Sequence, residues 1–387
     1  MLSNRAKNIN PQPMFNILFK SQELEGQGQH IIHLEIGDSS PYQNDRIKEL
    51  IKKNLSSNDS LGYSPSEGEP RLREAFAMHY SNLCNFKFEK NNIVVTPANA
   101  SISQILTILC DENDQILIPD PGFPSYALAA KYNKVIPLVY KLNELNKYQY
   151  DSNEIFSIID SNPNIKLIIL NNPSNPLGVF HDVESIDRII DFCAKKYIYV
   201  VVDDTYRNLI YKDNYPRIQH KKNIIYIYSL SKDTAAPALR IGCVVGEEII
   251  IKKIGNYNSL FYSCLPKFIQ LAAADYLLED HRPFRNALRA EMAQRIENIC
   301  KIFAKEPRIT FVKPNAGIYF YLNIAATNLN GEQFANALLN SVGVSVCPGI
   351  SFGLSGLNYI RICISGNKDD LYDGCEKLIS FFSKSIS

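Results

Sequence analysis

Residues 223–232 have the sequence Asn-Ile-Ile-Tyr-Ile-Tyr-Ser-Leu-Ser-Lys, in which an apolar run ends at two serines and a lysine. A short segment that is apolar on both faces predicts a buried strand, covered by helices on each side of its sheet. Lys232 therefore follows the carboxyl end of a predicted strand, the edge at which open α/β sheets bind ligands. A lone lysine at a strand end is ordinarily a surface residue, so its interpretation depends on its neighbours.

Other short apolar runs on both sides of this segment also predict strands, and helical patterns lie between several of them. The predicted strands are 92–96, 115–118, 134–139, 166–170, 197–202, 223–228 and 241–246. The predicted helices between them are 101–110, 125–132 and 184–195. Strands that alternate with helices along the chain are typical of α/β layering.

The last part of the chain has a different pattern. An amphipathic helical stretch at 267–304 precedes shorter predicted strands at 318–322, 344–347 and 359–364 and a final helix at 369–382. This order predicts a smaller α+β domain after the α/β domain.

The length and composition are those of a globular protein with more than one domain. The chain has 387 residues, 45% of them hydrophobic and 21% charged, which excludes intrinsic disorder and a disulfide-stapled miniprotein. A net charge of +1 gives no general attraction to nucleic acid or anionic membranes. We predict an N-terminal arm (1–45) that packs with the small domain or a partner subunit, a large domain (46–265), and an interdomain helix with the small domain (266–387).

The cysteines and the N-terminus indicate a cellular location. The nine cysteines include no Cys-x-x-Cys pair, and residues 1–10 lack the apolar stretch of a signal peptide. No apolar run approaches the roughly 18 residues of a membrane-spanning helix. We therefore expect reduced thiols and a cytoplasmic protein.

Polar side chains also follow two neighbouring predicted strands. Asp203 and Tyr206 come directly after the strand 197–202, and the turn 171–178 (Asn-Asn-Pro-Ser-Asn-Pro-Leu-Gly) follows the strand 166–170. Because parallel strands end at the same edge of a sheet, we expect these side chains to lie near the lysine. Arg240, eight residues after the lysine, is a further candidate.

In this order the segments resemble the class I and II aminotransferases, the fold-type I enzymes that use pyridoxal 5′-phosphate. The resemblance covers nearly the whole chain and includes further stretches at 31–37 (IIHLEIG), 62–68 (GYSPSEG), 72–73 (LR), 120–126 (DPGFPSY) and 358–362 (NYIRI). It implies a large domain with a mostly parallel seven-stranded sheet between helices, plus the smaller α+β C-terminal domain. It also implies an enzyme that forms a Cα carbanion from an L-amino acid.

The resemblance assigns roles around the cofactor ring. Lys232 would form the Schiff base and then act as the acid and base at Cα. Asp203 would hold the proton on the pyridine nitrogen. Tyr206 and Asn175 would hydrogen-bond the phenolic oxygen, and Phe123 would stack on the ring.

It assigns the phosphate and the substrate carboxylate as well. The phosphate would be held by backbone amides before a helix and by hydroxyl and guanidinium groups, namely Ala98, Asn99, Ala100, Ser229, Ser231 and Arg240. Tyr63 would reach the phosphate across a dimer interface, which implies a homodimer with shared sites. Arg361 would bind the substrate α-carboxylate, with the Gly37 amide and Asn175 beside it.

Two questions stay open at this stage. Asp233, directly after the lysine, also occurs in lyases and cyclases of this fold, such as aminocyclopropane carboxylate synthases and hydroxyarginine cyclases. Elimination with ring closure is therefore an alternative to transamination, and a non-enzymatic scaffold is a third. The substrate is also undetermined, because no motif identifies an arginine for a distal carboxylate; the segments 14–19, 38–42 and 257–265 are expected to line its pocket.

His30 and His33 have metal-compatible spacing, but without further ligands we expect no metal site.

Overall fold

The computed structural model describes residues 11–84, 86–211, 220–232 and 234–386. Within them the strands are β1 (Ile32–His33), β2 (Ile93–Val95), β3 (Gln115–Asp120), β4 (Ile136–Lys141), β5 (Ile165–Asn171), β6 (Tyr199–Asp203), β7 (Ile224–Ser229), β8 (Gly242–Val245), β9 (Tyr319–Asn323), β10 (Val344–Ser345), β11 (Cys347–Pro348) and β12 (Tyr359–Cys363). The helices are α1 (Met14–Gly26), α2 (Asp45–Leu55), α3 (Pro70–Cys84), α4 (Ala98–Leu109), α5 (Ser125–Tyr132), α6 (Ser152–Ser161), α7 (Val183–Lys195), α8 (Glu248–Phe261), α9 (Lys267–Leu278), α10 (Arg282–Phe303), α11 (Gly331–Val342) and α12 (Lys368–Lys384).

The central sheet has seven strands in the order β2-β8-β7-β6-β5-β3-β4. The five strands from β7 to β4 are parallel to one another, while β8 is antiparallel to β7 and to β2. The predicted mostly parallel seven-stranded sheet is confirmed. Asn171 is paired with Asp203, and Asp203 with Ile227, so the carboxyl ends of β5, β6 and β7 lie side by side.

The sheet is apolar on both faces because it separates two cores. In β6, Val200 and Val202 belong to one core with Ile168 of β5, whereas Val201 belongs to the other with Ile169. Successive side chains of a strand point to opposite faces, so a strand covered by helices on both sides must be apolar throughout. This arrangement explains the continuous apolar runs of the sequence.

Two helical predictions differ from the structure. The helix predicted at 101–110 begins at Ala98, so the residues expected before it form its first turn. The stretch 267–304 is two helices, α9 and α10, because the chain leaves the helix at Glu279 and restarts at Arg282. The Asp280 carboxylate accepts from the Arg282 backbone N–H (3.2 Å), and Pro283 lies in the first turn of α10, where a missing N–H costs no hydrogen bond.

The C-terminal part contains two small sheets and its own core. Strands β9, β12 and β11 form an antiparallel sheet, and β10 pairs in parallel with β1 from the N-terminal arm. The single strand predicted at 344–347 is therefore two short strands, which pair with different partners on either side of Val346. The core beneath them includes Met292, Phe320, Phe334, Leu371 and Phe382. The domain limits after residues 45 and 265 stay a prediction.

No helix among the described residues is long and apolar enough to cross a membrane. All nine cysteines lie in the described ranges, and each is a free thiol.

Candidate active site

A cavity lies above the carboxyl ends of β5, β6 and β7, where they meet the start of α4, the start of α1 and β12. Most of the residues predicted for the site line it: Gly37, Ala98, Asn99, Phe123, Asn175, Asp203, Tyr206, Ser229, Ser231, Lys232, Arg240 and Arg361. Ala100 and Tyr63 do not. The structure thus brings together residues that are scattered over most of the sequence.

Lys232 lies just beyond β7, and its amine donates to the carbonyl oxygen of Gly37 (Nζ–O 2.7 Å). Desolvation lowers the pKa of this amine, which favours the neutral, nucleophilic form. Gly37 has no space for a side chain, since a Cβ there would lie 2.0 Å from the Tyr319 hydroxyl oxygen. The lysine is therefore held by a backbone segment that has to pass very close to Tyr319.

Asp203 ends β6 and is buried beneath the cavity. Its carboxylate accepts from the Tyr126 hydroxyl (2.7 Å) and from the Thr205 hydroxyl (2.7 Å) and backbone N–H (3.2 Å). Burial raises the pKa of this carboxyl, and the three hydrogen bonds oppose the increase. A cationic N–H group in the cavity would compensate the buried charge.

Tyr126 and Thr205 were missed as site residues, although both lie within or beside quoted motifs. Tyr126 is the last residue of the stretch 120–126, and Thr205 separates the aspartate from Tyr206. Only the three-dimensional structure shows that Tyr126, at the start of α5, reaches the carboxylate at the end of β6. Tyr319 was also missed: its hydroxyl lies 2.9 Å from that of Tyr206, and burial raises its pKa to about 12.

Arg361 on β12 is 1% exposed, yet the described residues offer it no carboxylate. Its guanidinium donates to the Asn175 side-chain oxygen (2.9 Å) and to the Glu35 carbonyl (2.5 Å), and its Nε has no hydrogen-bond partner in the described part of the chain. The charge lies over the rings of Tyr319 (4.2 Å) and Phe352 (4.7 Å). Because an arginine stays charged when buried, this position is suited to an anionic ligand.

Hydrogen-bond donors collect at the opposite end of the cavity. Ala98 and Asn99 lie in the first turn of α4, where backbone N–H groups lack partners within the helix. The N–H of Ala100 instead donates to the Pro97 carbonyl (2.9 Å). Two buried hydroxyl residues and an exposed guanidinium complete the group, which we call the phosphate end: Ala98, Asn99, Ser229, Ser231 and Arg240.

Tyr63 lies outside this cavity, with 88% of its surface exposed. It borders a shallow depression together with Leu61, Cys264 and Phe268. Within one chain it is not part of the site, so its predicted role depends on a second copy.

The pocket segments expected from the sequence are only partly placed at the cavity. Met14 and Phe15, from the segment 14–19, line it, together with Ile36. Residues 38–42 and 257–265 do not line it, and Cys264 and Leu265 border the depression near Tyr63. Cys264, which follows the end of α8, instead packs beside the loop at Ser64, where the Ser64 N–H contacts the Cys264 sulfur (3.4 Å).

His33 is engaged by carboxylates. Its Nδ1 lies 2.7 Å from Glu35 Oε1 and its Nε2 lies 3.1 Å from Glu25 Oε1. No group of three or more potential metal ligands occurs among the residues that the structure describes. Asp233, on which the lyase alternative depends, lies outside the described residues.

The donor set fits pyridoxal 5′-phosphate. The phosphate end offers amides, hydroxyls and a guanidinium to a dianion. The buried Asp203 offers a carboxylate to a protonated ring nitrogen, and the amine of Lys232 matches an aldehyde. Phe123 lines the cavity between these groups and offers an aromatic face.

Comparisons with known proteins agree with this chemistry. The family model described as aminotransferase class I and II matches residues 29–378. An aspartate aminotransferase of Pyrococcus horikoshii is 31% identical, over 92% of each chain. A (5-formylfuran-3-yl)methyl phosphate transaminase of Methanocaldococcus jannaschii is 28% identical, over 99% of this chain and all of that one. The solved structure of Thermus thermophilus aspartate aminotransferase with maleate has the same fold, with a TM-score of 0.92, 20% identity, and coverage of 98% of this chain and 99% of that chain.

Proposed function

Because the chain belongs to the class I and II aminotransferase family, we propose that its cavity moves the amino group of an L-amino acid to a keto acid. The protein is a pyridoxal phosphate-dependent aminotransferase of fold type I. The elimination and ring-closure alternative is not favoured, since the relatives are named as transaminases. The roles of the individual residues are part of the proposal.

One observation supports the proposal most directly. A buried arginine with no acidic partner among the described residues, a lysine with a lowered pKa and a buried carboxylate face the same cavity: Arg361, Lys232 and Asp203. Each is costly for a folded protein unless a ligand compensates it. An amino acid supplies the carboxylate, and the cofactor supplies the aldehyde and the ring nitrogen.

When bound, pyridoxal phosphate provides an aldehyde that condenses with amines and a protonated ring that accepts the electron pair released at Cα. Asp203 would hold the proton on the ring nitrogen, with Tyr126 and Thr205 keeping its carboxylate oriented. The Lys232 amine would take the proton from the substrate Cα and return it to the cofactor's C4′ atom. Its lowered pKa favours the neutral amine, the form that can accept this proton.

Arg361 would fix the substrate through its carboxylate. The Asn175 oxygen and the Glu35 carbonyl each accept from the guanidinium, so its plane is set before the substrate arrives. Holding the carboxylate determines which bond at Cα stands perpendicular to the cofactor ring. The Asn175 amide nitrogen would remain available to donate to the phenolic oxygen, because the side-chain oxygen already accepts from Arg361.

A homodimer is part of this proposal. Several large apolar side chains near the depression at Tyr63 are exposed, namely Leu61 (82%), Tyr63 (88%), Leu260 (82%) and Phe261 (65%). A second copy would cover them and could bring its own Tyr63 to the phosphate end. The nine free thiols also support the cytoplasmic location expected from the sequence.

A single-turnover spectrum tests the reaction. The cofactor-loaded enzyme is mixed with one amino acid at a time, without any keto acid. Accumulation of pyridoxamine phosphate with one equivalent of keto acid is expected. Release of a dehydrated or cyclised product, with the original cofactor spectrum restored, would contradict transamination.

A further inference from the structure

The end of the cavity that contains Arg361 is lined mainly by apolar side chains, with Asn175 as a polar neighbour of the guanidinium. We call it the carboxylate end and define it by Phe15, Ile36, Gly37, Tyr319 and Arg361, which all line the cavity. The guanidinium lies against the rings of Tyr319 and Phe352 and donates to the Asn175 oxygen, while Met14, Phe15 and Ile36 line the same cavity. A substrate whose carboxylate binds the arginine therefore has apolar groups close to its side chain.

The helix that contributes Phe15 is fixed to two parts of the fold. Just before α1, the Gln12 side chain donates to the Ser125 hydroxyl (2.7 Å), next to the loop of Phe123. Within α1, the Ser21 hydroxyl donates to the Ser345 hydroxyl of β10 (2.9 Å). These contacts fix the start of α1 over the cavity, so the position of Phe15 in the pocket wall is fixed as well.

The positive charges that line the cavity are already assigned. Among the described lining residues they are Lys232, Arg240 and Arg361, which serve the amine chemistry, the phosphate and the α-carboxylate. No described lining residue is left to pair with a second carboxylate.

We propose that this site accepts L-amino acids with apolar side chains, aromatic ones included, and selects against dicarboxylic amino acids through Phe15 and Ile36. The inference rests on the proposed aminotransferase function. Binding of an apolar side chain against Phe15 and Ile36 is favourable, because its apolar surface is removed from water. A distal carboxylate would lose its hydration there without gaining a cation, which is costly.

The name of one relative would suggest the opposite substrate preference. The relative at 31% identity is named an aspartate aminotransferase, and aspartate has a distal carboxylate. The proposed substrate preference follows the residues that line this cavity within one chain, not the overall identity. The two possibilities therefore make opposite predictions for the same measurement.

The first test is a panel of donors with the wild-type holoenzyme. Leucine, methionine and phenylalanine should exceed aspartate and glutamate in kcat/KM by about 100-fold or more. Binding is measured separately by calorimetry, where 3-phenylpropionate should bind more tightly than maleate or glutarate. Dicarboxylates as the best donors and ligands, or arginine as the best donor, would overturn the inference. If no donor produces pyridoxamine phosphate, the proposed function itself fails.

Variants then locate the selectivity. Ile36→Arg places a cation in the carboxylate end and should raise the ratio of aspartate to leucine turnover by about 10-fold or more. Phe15→Ala should weaken phenylalanine and 3-phenylpropionate most. Phe19→Ala is the matched control, because Phe19 lies one turn along α1 and is 56% exposed outside the cavity. Equal donor ratios in all three variants and in wild type would remove both residues from specificity.

Discussion

The phosphate end and the carboxylate end of the cavity are built in different ways. The phosphate end comes from the first turn of α4 and the turns after β7, so short stretches of chain supply most of its donors. The carboxylate end combines α1, the segment at Gly37, β9 and β12. Its bond between Arg361 and the Glu35 carbonyl joins positions 326 residues apart. The donors of the phosphate end thus come from two short stretches of the chain, whereas the carboxylate end is assembled from four separate segments.

The strongest way to break this comparison is to remove Lys232, which lies between the two ends. Lys232→Ala should lower kcat on the order of 10⁵-fold, because both the bond to the cofactor and the proton transfer at Cα are lost. The visible absorbance of the lysine-bound cofactor should disappear as well. Lys222→Ala, an exposed lysine before β7, is the control. Unchanged absorbance in the Lys232 variant would remove this residue from the bond.

The next effect separates ring chemistry from binding. Asp203→Asn keeps the shape and the hydrogen bond from Tyr126 but removes the negative charge that would hold the ring proton. We expect kcat to fall on the order of 10³-fold while substrate KM changes little. Steady-state kinetics with a calorimetric cofactor titration give both quantities, and Asp160→Asn, at an exposed salt bridge, is the control. A large rise in KM with normal kcat would contradict the assignment.

At the carboxylate end, Arg361→Lys should act mainly on substrate binding. A lysine keeps the charge but cannot donate to Asn175, Glu35 and a carboxylate in one plane. We expect KM to rise roughly 10- to 100-fold, with the cofactor retained. Arg282→Lys, on the exposed start of α10, provides the comparison. Loss of the cofactor with KM unchanged would place Arg361 at the wrong end of the cavity.

The smallest predicted effect is on the pH dependence of stability, through His33 beside the carboxylate end. The side-chain contacts with Glu35 and Glu25 raise the pKa of His33 to about 9, although partial burial opposes them. A raised pKa means that the protonated form stabilises the fold fully below the usual value of 6.5 and that this contribution is lost as the pH rises through about 9. Chemical denaturation of wild type should show this decline over that range, and His33→Gln should lack it. Parallel curves for the two proteins would exclude His33 as the titrating group.

The features that could be predicted from the sequence are those with a local sequence pattern. The seven strands and the residues at their carboxyl ends were predicted, because buried strands and turn residues leave a local pattern. Tyr319 was not predicted as a site residue, and Phe15 was predicted only as part of the segment 14–19, since an aromatic residue in a strand or helix has the same local pattern whether it faces a core or a ligand. The break between α9 and α10 was missed because apolar residues at helical spacing lie on both sides of the short polar stretch 279–282.

The pairing of β1 with β10 has a consequence for the order in which the protein is made. Residues 93–245 contain all seven strands of the central sheet, so that sheet has its complete sequence well before synthesis ends. Strand β1 emerges early from the ribosome but has no partner until residues 344–345 follow. If the domains fold as units during synthesis, the central sheet would form while β1 is still unpaired. The framework of the phosphate end would therefore form first. The carboxylate end would form only after the last strands have been made.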